Sequence, residues 1–483
     1  MFRVTGIKNK TDKFKDMKLR NIVLGMVFLF MAQLSRAGER PNIIFIFADD
    51  LGWGDLGCYG HRQLRTPNLD QLAGDGMLLT DFYVASPVCA PSRVAIMTGR
   101  YPARYNVHKA LTKDPEKNAS FNMVNYLDPE TTLLTRVLQD HGYTTGHFGK
   151  WHLGATDDAP PPGEYGIDVH YTINSTDVKL TVPRHKSSEV IIDQAIKFME
   201  SNRDEPFFMN VWTLVPHASL DPTPEQMEPY ERFGAKRGAA KRGFSTPAQI
   251  YYSSVTDLDA HIGRLIDRVD ELGLAEETII VFSSDNGPED IEVPAARHSG
   301  VGSPGPFRGR KRSLYDGGIR VPFIMRWDGH VPANTVNNQS VVGGVDLMPT
   351  FCSMAGVPLP EGYDSDGEDM SPVFVKNRDV EREEPLLWQW TWIQHGHPFN
   401  VSPKLALRDG KWKFLMNPDG SRIELYDLSA GPQPMELDNV ADQHPELVER
   451  YKETLLEFDA ELPEGIREER SGNNRYPMPR PSR

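Results

Sequence analysis

The stretch Pro41-Asn42-Ile43-Ile44-Phe45-Ile46-Phe47-Ala48 constrains this chain more than any other. It is largely apolar and has strand length, which predicts a central parallel strand buried on both faces. It runs straight into Asp49-Asp50. The pattern returns at residues 206–215, which lead to Pro216-His217, and at 278–284, which lead to Asp285-Asn286-Gly287. Helical patterns fall near 67–76 and over 131–141, 189–199, 250–272 and 345–354, and residues 319–327 read as a further strand. Strands alternating with helices predict an α/β fold, a large mainly parallel sheet flanked by helices.

From about residue 375 the texture changes. Residues 385–392, 404–408, 411–416 and 422–427 are short strand-like runs, with a hairpin signal at Asp409-Gly410 and a single helix over 446–458. They predict a smaller C-terminal α+β domain carrying an antiparallel sheet. Residues 155–185 read as an inserted loop, and the charged, Pro-rich tail after Arg467 as poorly ordered. The expected organisation is a removable leader over 1–37, a main domain over 38–374, a subdomain over 375–467 and a disordered tail over 468–483.

The N-terminus supports the leader. A Lys/Arg-rich segment precedes an apolar run over 22–32, and Ser35-Arg36-Ala37 offers a small-residue cleavage site. The run is short for a membrane span, so export without stable membrane insertion is expected, periplasmic or secreted. Residues 1–37 carry eight Lys/Arg and two Asp/Glu, so removing them takes the formal charge from −14 to −20. So acidic a chain is a poor general binder of nucleic acid or other polyanions. An anionic substrate would need locally concentrated positive charge. Three cysteines exclude a disulfide-built scaffold and leave open whether Cys58 and Cys352 pair.

Cys89-Ala90-Pro91-Ser92-Arg93 opens a run that reads as a buried helix. Pro91 suits a first helical turn, which puts Cys89 at a helix N-terminus, where free N–H groups favour an anion. Asp49-Asp50 and Asp285-Asn286 both follow buried strands, and ligand sites gather at the carboxyl ends of such strands. Three carboxylates and an amide oxygen suit a hard divalent cation, Ca²⁺ or Mg²⁺.

These motifs resemble the type I sulfatases of the alkaline phosphatase superfamily, over most of residues 40–460. The resemblance is carried by Cys89-Ala90-Pro91-Ser92-Arg93 with Thr98-Gly99-Arg100, by Gly149-Lys150-Trp151-His152-Leu153-Gly154, and by the two metal motifs. Val215-Pro216-His217 and Arg308 to Lys311 with Gly317-Gly318-Ile319-Arg320-Val321-Pro322 extend it. Asp316 stands where the family usually has glutamate. The resemblance implies a sulfuric ester hydrolase in which a maturation enzyme oxidises Cys89 to formylglycine, whose hydrate attacks sulfur. It implies Asp49, Asp50, Cys89, Asp285 and Asn286 as metal ligands. Arg93 and Lys150 would hold the nucleophile, His152 would accept its second proton, and His217 beside Lys311 would protonate the leaving oxygen.

A sulfated carbohydrate is the expected substrate, with His108, Trp392 and His395 as candidate contacts at the rim. Trp388-Gln389-Trp390-Thr391-Trp392 reads as a core face of the small sheet, with a sugar-stacking platform as the alternative. The basic stretch 235–243 reads as a solvated loop. Rival functions are a phosphonate or phosphate ester hydrolase of the same superfamily, or a non-catalytic sulfated-glycan binder if Cys89 stays unmodified.

Overall fold

The computed structural model describes residues 40–173, 182–234, 246–293, 296–393, 396–429, 436–467 and 472. The leader, the basic stretch 235–243 and nearly all of the tail lie outside them. The strands are β1 (Asn42–Asp49), β2 (Met77–Leu79), β3 (Phe82–Tyr83), β4 (Thr144–Gly149), β5 (Val169–Thr172), β6 (Phe207–Pro216) and β7 (Thr278–Ser284). They continue with β8 (Phe323–Arg326), β9 (Thr335–Asn337), β10 (Val342–Gly343), β11 (Leu386–Gln389), β12 (Leu405–Asp409), β13 (Trp412–Met416) and β14 (Glu424–Asp427). The helices that matter here are α1 (Pro67–Asp75), α2 (Cys89–Thr98), α3 (Leu134–Asp140), α4 (Ser187–Ser201), α5 (Pro247–Glu271), α6 (Leu347–Met354) and α7 (Pro445–Glu461).

The large sheet has the order β5-β4-β6-β1-β7-β8-β2-β9. Only β8 runs against its neighbours, β7 and β2. β1 sits between β6 and β7, and its side chains show why its sequence is apolar throughout. Ile43, Phe45 and Phe47 enter one core with α2, α3 and α6. Ile44, Ile46 and Ala48 enter the other with α1, α4 and α5. A strand covered on both faces has no polar side to show. Cys352 lies in the first core and Cys58 beside the second, and both are free thiols.

The small sheet has the order β11-β12-β13-β14 and is antiparallel throughout. Leu405, Leu407, Phe414 and Leu425 face α7, which covers them with Val448, Tyr451 and Leu455. The opposite face, with Trp388, Ala406 and Leu415, merges into the first core of the large sheet. Trp388 and Trp390 are therefore core side chains, at 2 % and 1 % exposure.

Two expectations change. The segment 155–185 contains β5, which pairs in parallel with β4 at the sheet edge and carries the polar pattern an edge allows. The strand expected over 319–327 is confined to β8, because Asp316–Ile319 form a helical turn and Pro322 cannot donate to a ladder.

Candidate active site

Four adjacent strands, β4, β6, β1 and β7, run parallel and end on one edge of the sheet. That edge is where an open α/β sheet assembles a site. β1 delivers Asp49 and Asp50, β7 delivers Asp285 and Asn286, β4 leads to Lys150 and His152, and β6 leads to His217. Helix α2 begins at Cys89, after Val88 in an extended conformation, and adds Arg93 one turn on. Lys311 comes from the loop between β7 and β8, where its N–H donates to Pro288 O at 2.9 Å.

The charges pair closely. Lys150 Nζ donates to both oxygens of Asp49, at 2.8 and 2.7 Å. Lys311 Nζ does the same to Asp50, at 2.7 Å to each. Arg93 donates through Nε and Nη2 to Asp285 Oδ2, at 3.2 and 2.8 Å, and through Nη1 to the Lys150 carbonyl at 2.8 Å. Its guanidinium also lies 4.9 Å from the Trp212 ring centre, which fixes it further. Three carboxylates thus meet three cations, and the cluster is formally neutral.

That balance is uneven. Burial pushes Asp49 up, but Lys150, His217 and Arg93 overcome it and hold its pKa well below the usual carboxylate range. Asp285 goes the other way. Burial and the charge on Asp49 drive its pKa well up against the pull of Arg93. A buried carboxyl raised by a neighbouring carboxylate, their ligand atoms within 4.8 Å, is what a further cation would relieve.

The donors fit such a cation. Asn286 Nδ2 donates to Asp50 Oδ1 and to Gly287 O, both at 2.8 Å, which fixes the amide orientation. Its Oδ1 is then buried with no partner among the described residues. Ligand atoms of Asp49, Cys89 and Asp285 lie within 4.8 Å of one another, and so do those of Asp49, Asp50 and His217. An orphaned amide oxygen beside three carboxylates is a donor set for a hard cation.

Both histidines have assignable protons, because each faces a carbonyl that can only accept. His152 Nε2 lies 3.3 Å from Leu111 O and carries the hydrogen, which leaves Nδ1 as a buried lone pair without a partner. Burial, aided by Lys150 and Arg93, pushes its pKa down to about 3, so the imidazole is neutral. His217 Nδ1 donates to Ala218 O at 2.7 Å, and its Nε2 lies 3.8 Å from Asp50 Oδ2. Burial takes its pKa down to about 4 against the pull of Asp49. Burial also works against the charge on Lys311, but Asp50 and Glu289 outweigh it and raise the pKa. Of His217 and Lys311, the one that is charged at neutral pH is Lys311.

Two participants escaped sequence reasoning. Glu289 grips Arg312 through both oxygens, at 2.5 and 2.7 Å, and lies 3.9 Å from Lys311. Arg312 N–H donates to Pro87 O at 2.9 Å, on the loop entering Cys89. The pair ties the Lys311 loop to the Cys89 turn. The signal was the unbroken run Arg310-Lys311-Arg312 with an acid three residues after Asn286. Asp50, His152 and Arg312 have φ of 69°, 61° and 73°, left-handed backbone that non-glycine residues adopt at a cost and that clusters at functional sites.

The three rim candidates fare differently. His108 is buried, and a Cβ on Gly465 would fall 2.5 Å from its Nε2, so it packs on the segment after α7. Trp392 is half-buried against Phe121. His395 lies outside the described residues. A cleft of about 840 Å³ opens at the far end of the same sheet edge, lined by Trp53, Asp81, Arg320, Arg382, Arg408 and Lys411. It shares no residue with the Cys89 cluster.

Comparison with known proteins decides the family. Residues 41–357 match the family model described as Sulfatase, and residues 307–461 match the one described as N-sulphoglucosamine sulphohydrolase, C-terminal. This chain belongs to the sulfatase family. Human arylsulfatase A is 30% identical to this sulfatase over 492 residues, covering 89% of this chain and 90% of its own. The N-acetylgalactosamine-6-O-sulfatase of Bacteroides thetaiotaomicron is 29% identical over 512 residues, covering 86% and 93%. Among solved structures, Ps i-CgsB in complex with k-i-k-neocarrahexaose superposes with a TM-score of 0.72 at 26% identity, covering 86% of this chain and 92% of that one. The phosphonate monoester hydrolase of Agrobacterium radiobacter, at 21% identity and a TM-score of 0.63, shares the fold, with 87% and 96% covered. The sulfatase is thus a sulfuric ester hydrolase of alkaline-phosphatase fold, and its family implies a metal. Among the described residues no helix is long and apolar enough to cross a membrane.

Proposed function

We propose that this sulfatase hydrolyses a sulfate ester on a sulfated carbohydrate, with residue 89 as formylglycine and one Ca²⁺ at the carboxyl ends of β1 and β7. The observation that carries the reading is the convergence of Asp49, Asp50, Asp285 and the orphaned Asn286 Oδ1 on the N-terminus of the Cys89 helix. The carbohydrate follows the company the chain keeps. Its relatives include an N-acetylgalactosamine-6-O-sulfatase, and its structural neighbours include a carrahexaose complex.

Asp49, Asp50, Asp285 and Asn286 would hold the Ca²⁺, whose chemistry there is to acidify an oxygen nucleophile and offset charge on the sulfate. The other roles fall to the chain. Oxidation of Cys89 puts oxygen where sulfur stood, and the hydrated form has a second hydroxyl with which to expel sulfate. Arg93 and Lys150, pinned by Asp285 and Asp49, flank residue 89 and steady its oxygen. His152 takes the second hydroxyl's proton at Nδ1, the lone pair its Leu111 contact leaves open. On the leaving-group side Lys311 carries the proton. His217, neutral through burial, orients at Nε2 and gains a proton only as the substrate's negative charge arrives.

Export through the 1–37 leader and modification by a formylglycine-generating enzyme complete the reading, with 38–374 as catalytic domain and 375–467 as subdomain. The test combines mass and turnover. The peptide bearing residue 89 should be about 18 Da lighter than its cysteine form. Activity on aryl sulfates and sulfated oligosaccharides should track that fraction and vanish on chelation. Full turnover by protein with unmodified Cys89 would refute the proposal.

A further inference from the structure

Lys109 is a buried cation without an acid. Only 9% of the residue is exposed, and among the described residues it makes no ion pair. Two aromatic rings flank it instead. Its Nζ lies 4.0 Å from the Phe121 ring centre and 4.2 Å from that of Trp392, and these rings meet at 4.6 Å. Burial, with Lys117 nearby, pushes its pKa down to about 8. Aromatic faces offset part of the lost hydration of an ammonium, but they supply no counter-charge.

The strap that carries the cage is tied to the His152 loop. Lys109 stands two residues, at most about 7 Å between Cα atoms, before Leu111, whose carbonyl accepts from His152 Nε2 at 3.3 Å. The strap that carries Lys109 and Phe121 is tied to the His152 loop by Leu127 N–H to Leu153 O, at 2.7 Å, and by a bridge between Tyr126 and Gly154. Trp392 brings the small sheet to the same place. A charge with no acid among the described residues, set beside a half-buried indole on a strap tied to the His152 loop, matches one ligand chemistry. A sugar ring stacks on the indole, and its anionic group meets the ammonium.

Resting on the carbohydrate reading above, we infer that Lys109, held between Phe121 and Trp392, binds an anionic substituent on the sugar unit adjoining the one that carries the scissile sulfate. The substituent is a sulfate or a carboxylate. The strap thus selects multiply charged chains, although the protein's overall charge of −14 repels them.

Three matched disaccharides test this, each with the scissile sulfate on one sugar and a second sulfate, a carboxylate or a neutral group on its neighbour. Wild-type kcat/KM should be about tenfold higher with an anionic neighbour than with a neutral one. The anion giving the larger ratio identifies the substituent. Lys109→Met keeps the aliphatic stem between the rings and removes the charge. It should bring that ratio to about one, and Lys109→Arg should restore most of it. An unchanged ratio in Lys109→Met overturns the assignment. If no disaccharide is cleaved while an aryl sulfate is, the carbohydrate reading fails by itself. Lys109 is then read by competition. An unsulfated uronate disaccharide should inhibit aryl sulfate hydrolysis about tenfold less well in Lys109→Met, and equal inhibition overturns the assignment.

Discussion

Two buried ionic clusters sit along the same edge of this sulfatase, and our proposal gives the chemistry to one of them. The first is the Asp49, Asp50, Asp285, Arg93, Lys150 and Lys311 group. The second joins the two sheets. Asp316 there accepts from Tyr83 Oη at 2.9 Å, Lys413 Nζ at 3.1 Å and Arg320 Nη1 at 3.3 Å, while Arg320 also pairs with Asp81 at 2.7 Å. Asp316, Arg320 and Lys413 are all buried. Charge and burial therefore do not separate the clusters. What separates them is where the bonding is unfinished. The first leaves Asn286 Oδ1 and His152 Nδ1 without partners and holds Asp50 and His152 in left-handed backbone. In the second, both oxygens of Asp316 are taken, and Lys413 is wedged over Trp388 at 4.8 Å. The second has unmet atoms too, Glu436 Oε1 and Nε and Nη1 of Arg408, but its central acid is fully bonded, whereas those of the first lie on a proposed ligand and a proposed base.

The largest test removes a carboxylate from the first cluster. Asp285→Ala deletes a proposed ligand and the partner of Arg93, and should lower kcat/KM on every sulfate ester by more than about a hundredfold, with bound metal lost. Elemental analysis and aryl sulfate turnover measure this. Retained metal and activity would erase the distinction drawn here.

The next test makes one substitution twice. Lys413→Met breaks a buried pair and should cost about 3–5 kcal/mol, read as a lower urea midpoint, with turnover per folded molecule little changed. Lys150→Met should do the reverse in emphasis, costing at least about a hundredfold in kcat and less in stability. Matching effects from the two would mean that both clusters serve the same end.

How much of this was legible follows the same divide. The strand ends were readable because a doubly buried strand must be apolar, so the first acid after Ala48 or Ser284 stands out against its background. Cys89 was readable because Pro91 fixes the first turn of α2. The outer elements were not. β2 and β9 are three-residue strands, and β5 has one neighbour and no apolar run to declare it. Glu289 and Arg312 were missed because their meaning lies in a contact across 23 residues, which no local pattern records. His108 was expected at the rim, but no local pattern says which way its ring turns. Burial against Gly465 decides that.

The smallest expected effect belongs to Glu436, at the margin of the second cluster. Its Oε2 accepts from Asp316 N–H at 2.8 Å, while its Oε1 has no hydrogen-bond partner among the described residues and lies 4.0 Å from Lys413 Nζ. Burial and the charge on Asp316 raise its pKa from 4.5 to about 8, against Lys413 and Arg308. A carboxyl raised in the folded state keeps a proton that the unfolded chain has released. Its stabilising effect is full below about pH 4.5 and is lost as the pH climbs through about 8. Between about pH 6 and 7 the loss should be on the order of 1 kcal/mol. Glu436→Gln isolates it, because the amide imitates the protonated carboxyl and does not titrate, whereas every other group, including the raised Asp55, titrates equally in both proteins. The Tm of the wild type should therefore fall relative to that of Glu436→Gln as the pH rises across this window. Parallel Tm curves would mean that Glu436 is ionised throughout, and that the second cluster, like the first, carries a carboxylate short of its counter-charge.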